Sequence, residues 1–121
     1  MADVDGLKYI NDIYGHEKGD RLLIAASKII NNSCRKEDII ARWGGYEFII
    51  FLPKTSEKDA RDLMDRIRKA CNIQELDDKI NISISLGLST KYEIGENIKD
   101  IIEQADKNMY IDKARQKNNT K

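Results

Sequence analysis

Apolar residues recur along this chain with two periods, one near 3.6 residues and one of two, and the two alternate from start to end. Residues 7–14 read as a short helix stopped near Gly15. Residues 20–31 follow as a longer helix, with Leu22, Leu23, Ala26, Ile29 and Ile30 on one face. Residues 39–43 and 47–52 are short apolar runs on either side of Gly44 and Gly45, the pattern of a tight hairpin. Ser56 opens the next helix with Asp59 three residues on, a capping-box-like arrangement. Its apolar stripe is Ala60, Leu63, Met64, Ile67, Ala70 and Cys71. Ile80, Ile82, Ile84, Leu86 and Leu88 alternate with Asn, Ser and Gly, which predicts a strand with one buried face. Asn97 is placed to cap a last helix carrying Ile98, Ile101, Ile102, Ala105 and Met109. Helices mixed with a sheet that contains an antiparallel hairpin predict an α/β sandwich.

Composition narrows this picture without redirecting it. A chain of 121 residues is one domain with a single core, and 40% apolar with 35% charged residues suits a globular protein with a well-solvated surface. Lys+Arg and Asp+Glu balance at 21 each, so no global field steers the chain to nucleic acid or to an anionic membrane. A local basic cluster of Lys113, Arg115, Lys117 and Lys121 equally suits a solvated helix end. Cys34 and Cys71 have neither a metal-ligand spacing nor a disulfide framework, and Cys71 falls on an apolar stripe as a buried thiol. No apolar run approaches the ~18–20 residues of a membrane span, and no signal peptide is evident, so a cytoplasmic location without membrane contact is expected.

Chemistry concentrates at the chain start and at the hairpin tip. A carboxylate at a strand end, then a turn with free backbone N–H groups and a lysine, can hold a metal–triphosphate complex. Asp3, Gly6 and Lys8 supply that order. An amide and a carboxylate complement the acceptor and the paired donors of a guanine edge, and Asn11 and Asp20 are such a pair. Each residue alone equally suits a helix cap or a frayed terminus; the joint spacing favours a nucleotide.

Residues 42–48 read Arg-Trp-Gly-Gly-Tyr-Glu-Phe. They resemble the signature loop of the diguanylate cyclases, the GGDEF domains, bacterial signalling proteins whose loop carries Asp or Glu where Tyr46 stands. Two further blocks carry the resemblance: residues 3–20, with Asp3, Asp5, Lys8, Asn11, Asp12, Gly15, His16, Gly19 and Asp20, and residues 105–113, with Ala105, Asp106, Met109, Tyr110 and Lys113. The resemblance implies a ferredoxin-like, nucleotidyl-cyclase palm, a mixed and mostly antiparallel sheet flanked by helices. It spans residues 1–121 as a partial domain that lacks the family's N-terminal helix and most of its first strand.

By the same resemblance, Asp3 and the Val4 carbonyl hold Mg2+, and Gly6, Leu7 and Lys8 cradle the outer phosphates of GTP. Asn11 and Asp20 read guanine, Gly44 and Gly45 approach the ligand, and Lys113 meets the phosphates. Lys117 falls where an arginine is usual, so charge is kept and bidentate geometry lost. Arg35 and Asp38, with five residues between Asp38 and Gly44, match the family's inhibitory site for cyclic di-GMP, with Arg66 as its secondary arginine. His16 reads as structural.

Tyr46 replaces the carboxylate that holds metal and helps activate the attacking hydroxyl. Magnesium takes hard oxygen ligands, and a neutral phenol with a pKa of ~10 is a poor one. Glu47 is next to it, but neighbours on a strand point to opposite faces, so rescue is not expected. A β-favouring aromatic at a hairpin tip, or a ring that stacks on a base, are the other readings of Tyr46. Three functions follow: a catalytically degenerate module that binds GTP or cyclic di-GMP, an active cyclase working as a homodimer, and a ligand-free dimerisation module. The first two imply an upstream sensor domain in the full-length protein.

Overall fold

A computed structural model describes residues 1–76, 80–91 and 95–119, with side chains described as far as Gln116. The elements are β1 (Ala2–Val4), α1 (Leu7–Tyr14), α2 (His16–Ser33), β2 (Ile39–Arg42), β3 (Glu47–Phe51), α3 (Glu57–Ile73), β4 (Ile84–Leu86) and α4 (Ile98–Asn119). The strands form one antiparallel sheet in the order β2-β3-β1-β4.

The sheet is sandwiched because its strands bury both faces. Ala2, Val4, Phe48, Ile82, Ile84 and Leu86 join the apolar stripes of α2 and α3 in the larger core. Met1 and Ile49 belong to a smaller cluster with Ala105 and Met109 of α4. The register pairs Ala2 with Phe48 and Leu86, and Asp3 with Glu47 and Ser85. Side chains of directly paired residues share a face. Asp3, Glu47 and Ser85 therefore lie on the α4 side, and this parity places the site.

Three expectations change. The second helix begins at His16 rather than at residue 20, because Gly15, at φ 91°, turns the chain directly out of α1. The polar first turn had hidden it from the apolar period. Strand pairing around Ile84 is shorter than residues 80–88, since its partner β1 is three residues long. Ile80, Ile82, Ile84 and Leu86 are all buried, but so is Ser85 between the last two, so the single buried face expected of this strand gives way to burial on both faces within β4. Ile98 is exposed, so the buried stripe of α4 consists of Ala105 and Met109 with Ile102 beside them.

Other readings hold. The Ser56 hydroxyl accepts the Asp59 backbone N–H at 3.1 Å, and the Asn97 side chain accepts that of Lys99 at 2.9 Å. Cys71 is buried and Cys34 half-buried, and both are free thiols. Ser56→Ala removes an N-cap and is expected to cost about 1 kcal/mol in urea unfolding. A loss below a few tenths would show that α3 is held by its buried stripe alone.

Two side chains, Asp112 and Asn108, help dock α4. Asp112 accepts the backbone N–H of Leu86 at 2.8 Å and pairs with Arg68 of α3 at 3.3 Å. Asn108 donates to the Leu88 carbonyl at 2.8 Å. The helix can lie this close only because position 87 is glycine: a Cβ there would sit 2.1 Å from the Met109 backbone nitrogen.

Candidate functional site

Asp3 is the centre of the site. It is almost wholly buried, on the central strand of the sheet, and a buried carboxylate must be paired to be tolerated. Its Oδ2 accepts a hydrogen bond from Lys113 Nζ at 3.0 Å, from α4, while its Oδ1 is buried with no partner. The chain then leaves β1 and turns at Gly6, whose φ of 72° suits glycine, into α1. No side chain caps α1, so its first-turn N–H groups stay available to an anion, with Lys8 exposed beside them.

The hairpin tip closes over this strand. Val4 N–H donates to the Tyr46 carbonyl at 3.0 Å, and the Tyr46 ring centroid lies 5.8 Å from Lys113 Nζ. Glu47 stands directly across from Asp3 on the same face. The expected opposition of Tyr46 and Glu47 is therefore not seen. Glu47 is the first residue of β3, whereas Tyr46 still belongs to the turn and escapes strand alternation.

Lys113 is hemmed in by acid. Burial, aided by Asp5 and Asp106, holds the Asp3 carboxyl above its usual range even with Lys113 attached. Burial, with Asp3 and Asp106, does the same to Glu47. Burial pulls Lys113 down, but its bond to Asp3 together with the charges of Asp3 and Asp5 outweighs that and holds it above its usual range.

Ser83 and Ser85 were not singled out from the sequence, and Asp5 and Asp106 entered only as matches within the two blocks, with no role given. Asp5 accepts from the Ser83 and Ser85 hydroxyls, both at 2.7 Å, which clamps the β1 exit against β4. The signal was there: Asp5 repeats Asp3 at strand period, and the two serines alternate with Ile82 and Ile84.

Asn11 projects from α1 onto α2 at Gly19, where a Cβ would fall 1.7 Å from its Oδ1. Asp20 is the next residue and is exposed. The structure thus brings Asn11 to the start of the Asp20 segment. His16 is exposed at the head of α2, and the side chain of Lys117 lies outside the described residues.

At the other end of the β2–β3 hairpin is a second basin of about 210 Å³, lined by Arg35, Asp38, Thr55, Asp59, Asp62 and Arg66 among others. Asp38 accepts from the Arg35 backbone N–H at 2.8 Å and from its guanidinium at 3.2 Å. Arg35 also donates to Thr55 and pairs with Glu37, and Arg66 donates to the Ser33 carbonyl at 3.1 Å. The two arginines and Asp38 are brought together as expected. A larger apolar cleft of about 510 Å³, between α3, α4 and the sheet, shares Thr55 with this basin but none of its charged residues.

Magnesium fits this donor set poorly. The unpartnered Asp3 Oδ1 would welcome a cation, but Oδ2 already holds an ammonium and position 46 offers a phenol. Among the described residues no three His, Cys, Asp or Glu side chains lie close enough together to hold a metal ion. No described helix is long and apolar enough to cross a membrane.

Residues 1–119 match the family described as "Diguanylate cyclase, GGDEF domain". The chain is 41% identical over 121 residues to diguanylate cyclase A of Treponema denticola, covering 98% of this chain and 33% of that protein. It thus spans about a third of that relative's length. The active GGEEF domain of a Vibrio cholerae diguanylate cyclase superposes with a TM-score of 0.86 at 30% identity, over 94% of this chain and 74% of that one. The GGDEF domain of DgcB from Caulobacter crescentus, solved with c-di-GMP, gives 0.85 at 26% identity, over 93% and 69%. The sheet flanked by helices is the nucleotidyl-cyclase palm of these structures.

Proposed function

Because this chain belongs to the GGDEF family of diguanylate cyclases, which acts in cyclic di-GMP signalling, we propose that it is a regulatory module that binds GTP or cyclic di-GMP without joining nucleotides. One observation carries the reading: Tyr46 stands in the signature loop with its ring toward Lys113, where relatives place a carboxylate. Cyclisation needs the 3′-hydroxyl of one GTP to attack the α-phosphate of another in line, with metal ions neutralising the developing charge. This loop supplies no anionic ligand at position 46, whereas the groups suited to binding remain.

In this reading Gly6, Leu7 and Lys8 hold the outer phosphates, with Lys113 and Lys117 adding positive charge. Asn11 and Asp20 take the guanine edge, and Gly44 and Gly45 let the loop backbone approach. Arg35, Asp38 and Arg66 take cyclic di-GMP in the second basin. The arginines fork onto phosphate or guanine acceptors, and Asp38 accepts from guanine N–H groups. Family members generally use Mg2+; here Asp3, the Val4 carbonyl and Glu47 are what remains of such a site.

Calorimetric titration of the full-length protein with GTP and with cyclic di-GMP, joined to a product assay, tests this. Binding of at least one nucleotide without product formation is expected, and robust turnover of GTP would sink the idea. Arg35→Ala should weaken cyclic di-GMP by ~10-fold to 100-fold, through loss of charge-assisted bonds, and leave GTP unchanged. Equal loss for both ligands would remove the two-site assignment.

A second reading, a working homodimeric cyclase, has one observation in its favour. Glu47 faces Asp3 across the strand pair, so two carboxylates remain at the site. The same product assay separates the readings.

A further inference from the structure

We propose that Lys113 permanently occupies the cation position in front of Asp3, clamped there by the Tyr46 ring, so that this chain takes up a nucleoside triphosphate as the free anion without a divalent metal. The nucleotide half of this inference rests on the proposed function; the cation half does not.

The geometry behind it is local. The Asp3 side chain is 2% exposed, on the central strand, so its charge needs a partner in every state of the molecule. Lys113 provides one, reaching 110 residues back along the sequence at 3.0 Å. A metal bound through Oδ2 would have to stand where the ammonium stands, and magnesium demands near-octahedral oxygen ligation at ~2.0–2.1 Å.

Position 46 decides which cation wins. A carboxylate there would add a second charge to Asp3 and favour a divalent ion. A phenol ring adds none and instead attracts an ammonium through its face, and its centroid is 5.8 Å from Nζ. Tyr46 is tied in place by its carbonyl, which accepts from Val4. An ammonium has three donors, and Asp3 uses one, so Lys113 can also meet a phosphate oxygen. Lys8 and the uncapped first turn of α1 stand ready to share the rest of the anion.

Glu47 and Asp106 are the opposing influence, since Glu47 faces Asp3 across the strand pair and the charge of Asp106 is felt by both carboxylates. They are the reason a divalent ion has to be tested for directly. Mn2+ bound by the nucleotide-free full-length protein can be counted by electron paramagnetic resonance. Wild type and Asp3→Asn are expected to bind the same number of ions, because Asp3 holds none. Lys113→Met should bind one more, as should Tyr46→Asp, a change at an exposed loop tip that the fold tolerates. A wild type that holds one ion more than Asp3→Asn overturns the assignment, and so does a Tyr46→Asp protein with no added site.

In the nucleotide arm, GTP affinity with magnesium and with a chelator should agree within about threefold. A tenfold gain on adding magnesium overturns metal-free uptake. No GTP binding in either buffer overturns the nucleotide half, whereas the proposed function falls only if cyclic di-GMP also fails to bind, and the manganese comparison alone judges the cation half.

Discussion

Tyr46→Asp in the full-length protein is expected to raise cyclic di-GMP formation from GTP by ~10³-fold, from a baseline near the limit of detection. The substitution puts an anionic hard-oxygen ligand at the one position of the loop that lacks it. Asp3 and Glu47 already face each other across β1 and β3, so the new carboxylate would complete a three-carboxylate rim. It also removes the ring that faces the Lys113 ammonium, which frees that charge for phosphate. Little stability is at stake, because Tyr46 is 44% exposed and its only described backbone tie is through its carbonyl. Tyr46→Phe is the matching control: it keeps the ring, adds no ligand, and should stay inactive. Product measured by chromatography from equal amounts of each variant gives the ratio. A wild type already within tenfold of Tyr46→Asp would mean that Asp3 and Glu47 suffice for catalysis, and the degenerate reading would fail.

Gly87→Ala is expected to destabilise the fold by about 3 kcal/mol or more, the overpacking range at its upper end. The added Cβ would lie 2.1 Å from the Met109 backbone nitrogen, 2.3 Å from the Ala105 carbonyl oxygen and 2.7 Å from the Asn108 carbonyl carbon. All three are backbone atoms of one helix, so no rotamer change relieves them and α4 as a whole must retreat. Retreat breaks the Asn108–Leu88 and Asp112–Leu86 hydrogen bonds, each 2.8 Å, and opens the packing around Met109, which is fully buried. It also draws Lys113 away from Asp3 and leaves a buried carboxylate unpaired. Urea unfolding of both proteins measures the difference. A loss below about 1 kcal/mol would show that α4 docks softly, and the Lys113–Asp3 pair would then be a loose contact.

Much of this was legible beforehand where local rules act alone. Ser56 with Asp59, and Asn97 with the turn after it, are caps whose chemistry is complete within four residues. The stripe of α3 and the apolar positions from Ile80 to Leu86 follow from period alone. Ala60, Leu63, Ile67 and Cys71 are buried with Met64 and Ala70 packed beside them, and Ile80, Ile82, Ile84 and Leu86 are buried, although Ser85 is buried as well. Gly44 and Gly45 mark the hairpin turn. Arg35 and Asp38 also close on each other locally, being three residues apart.

Long-range placements were not legible in this way. That Tyr46 and Glu47 both attend Lys113 depends on the turn ending at residue 46, which strand parity cannot supply. Asp5 looked like a repeat of Asp3, but β4 gives it two serine donors and so a bracing role in place of a ligand's role. Gly87 gave no sign of a helix pressed against it.

The sequence by itself determined the family, the order of elements and the identity of the residue missing from the loop. Those properties reside in residue types and in spacings of a few positions, where backbone geometry leaves few choices. Only the tertiary structure decided what stands opposite Asp3. A buried carboxylate takes whatever cation the packed helices bring within reach. Here the docking of α4 at Gly87 brings Lys113, from 110 residues away, to 3.0 Å.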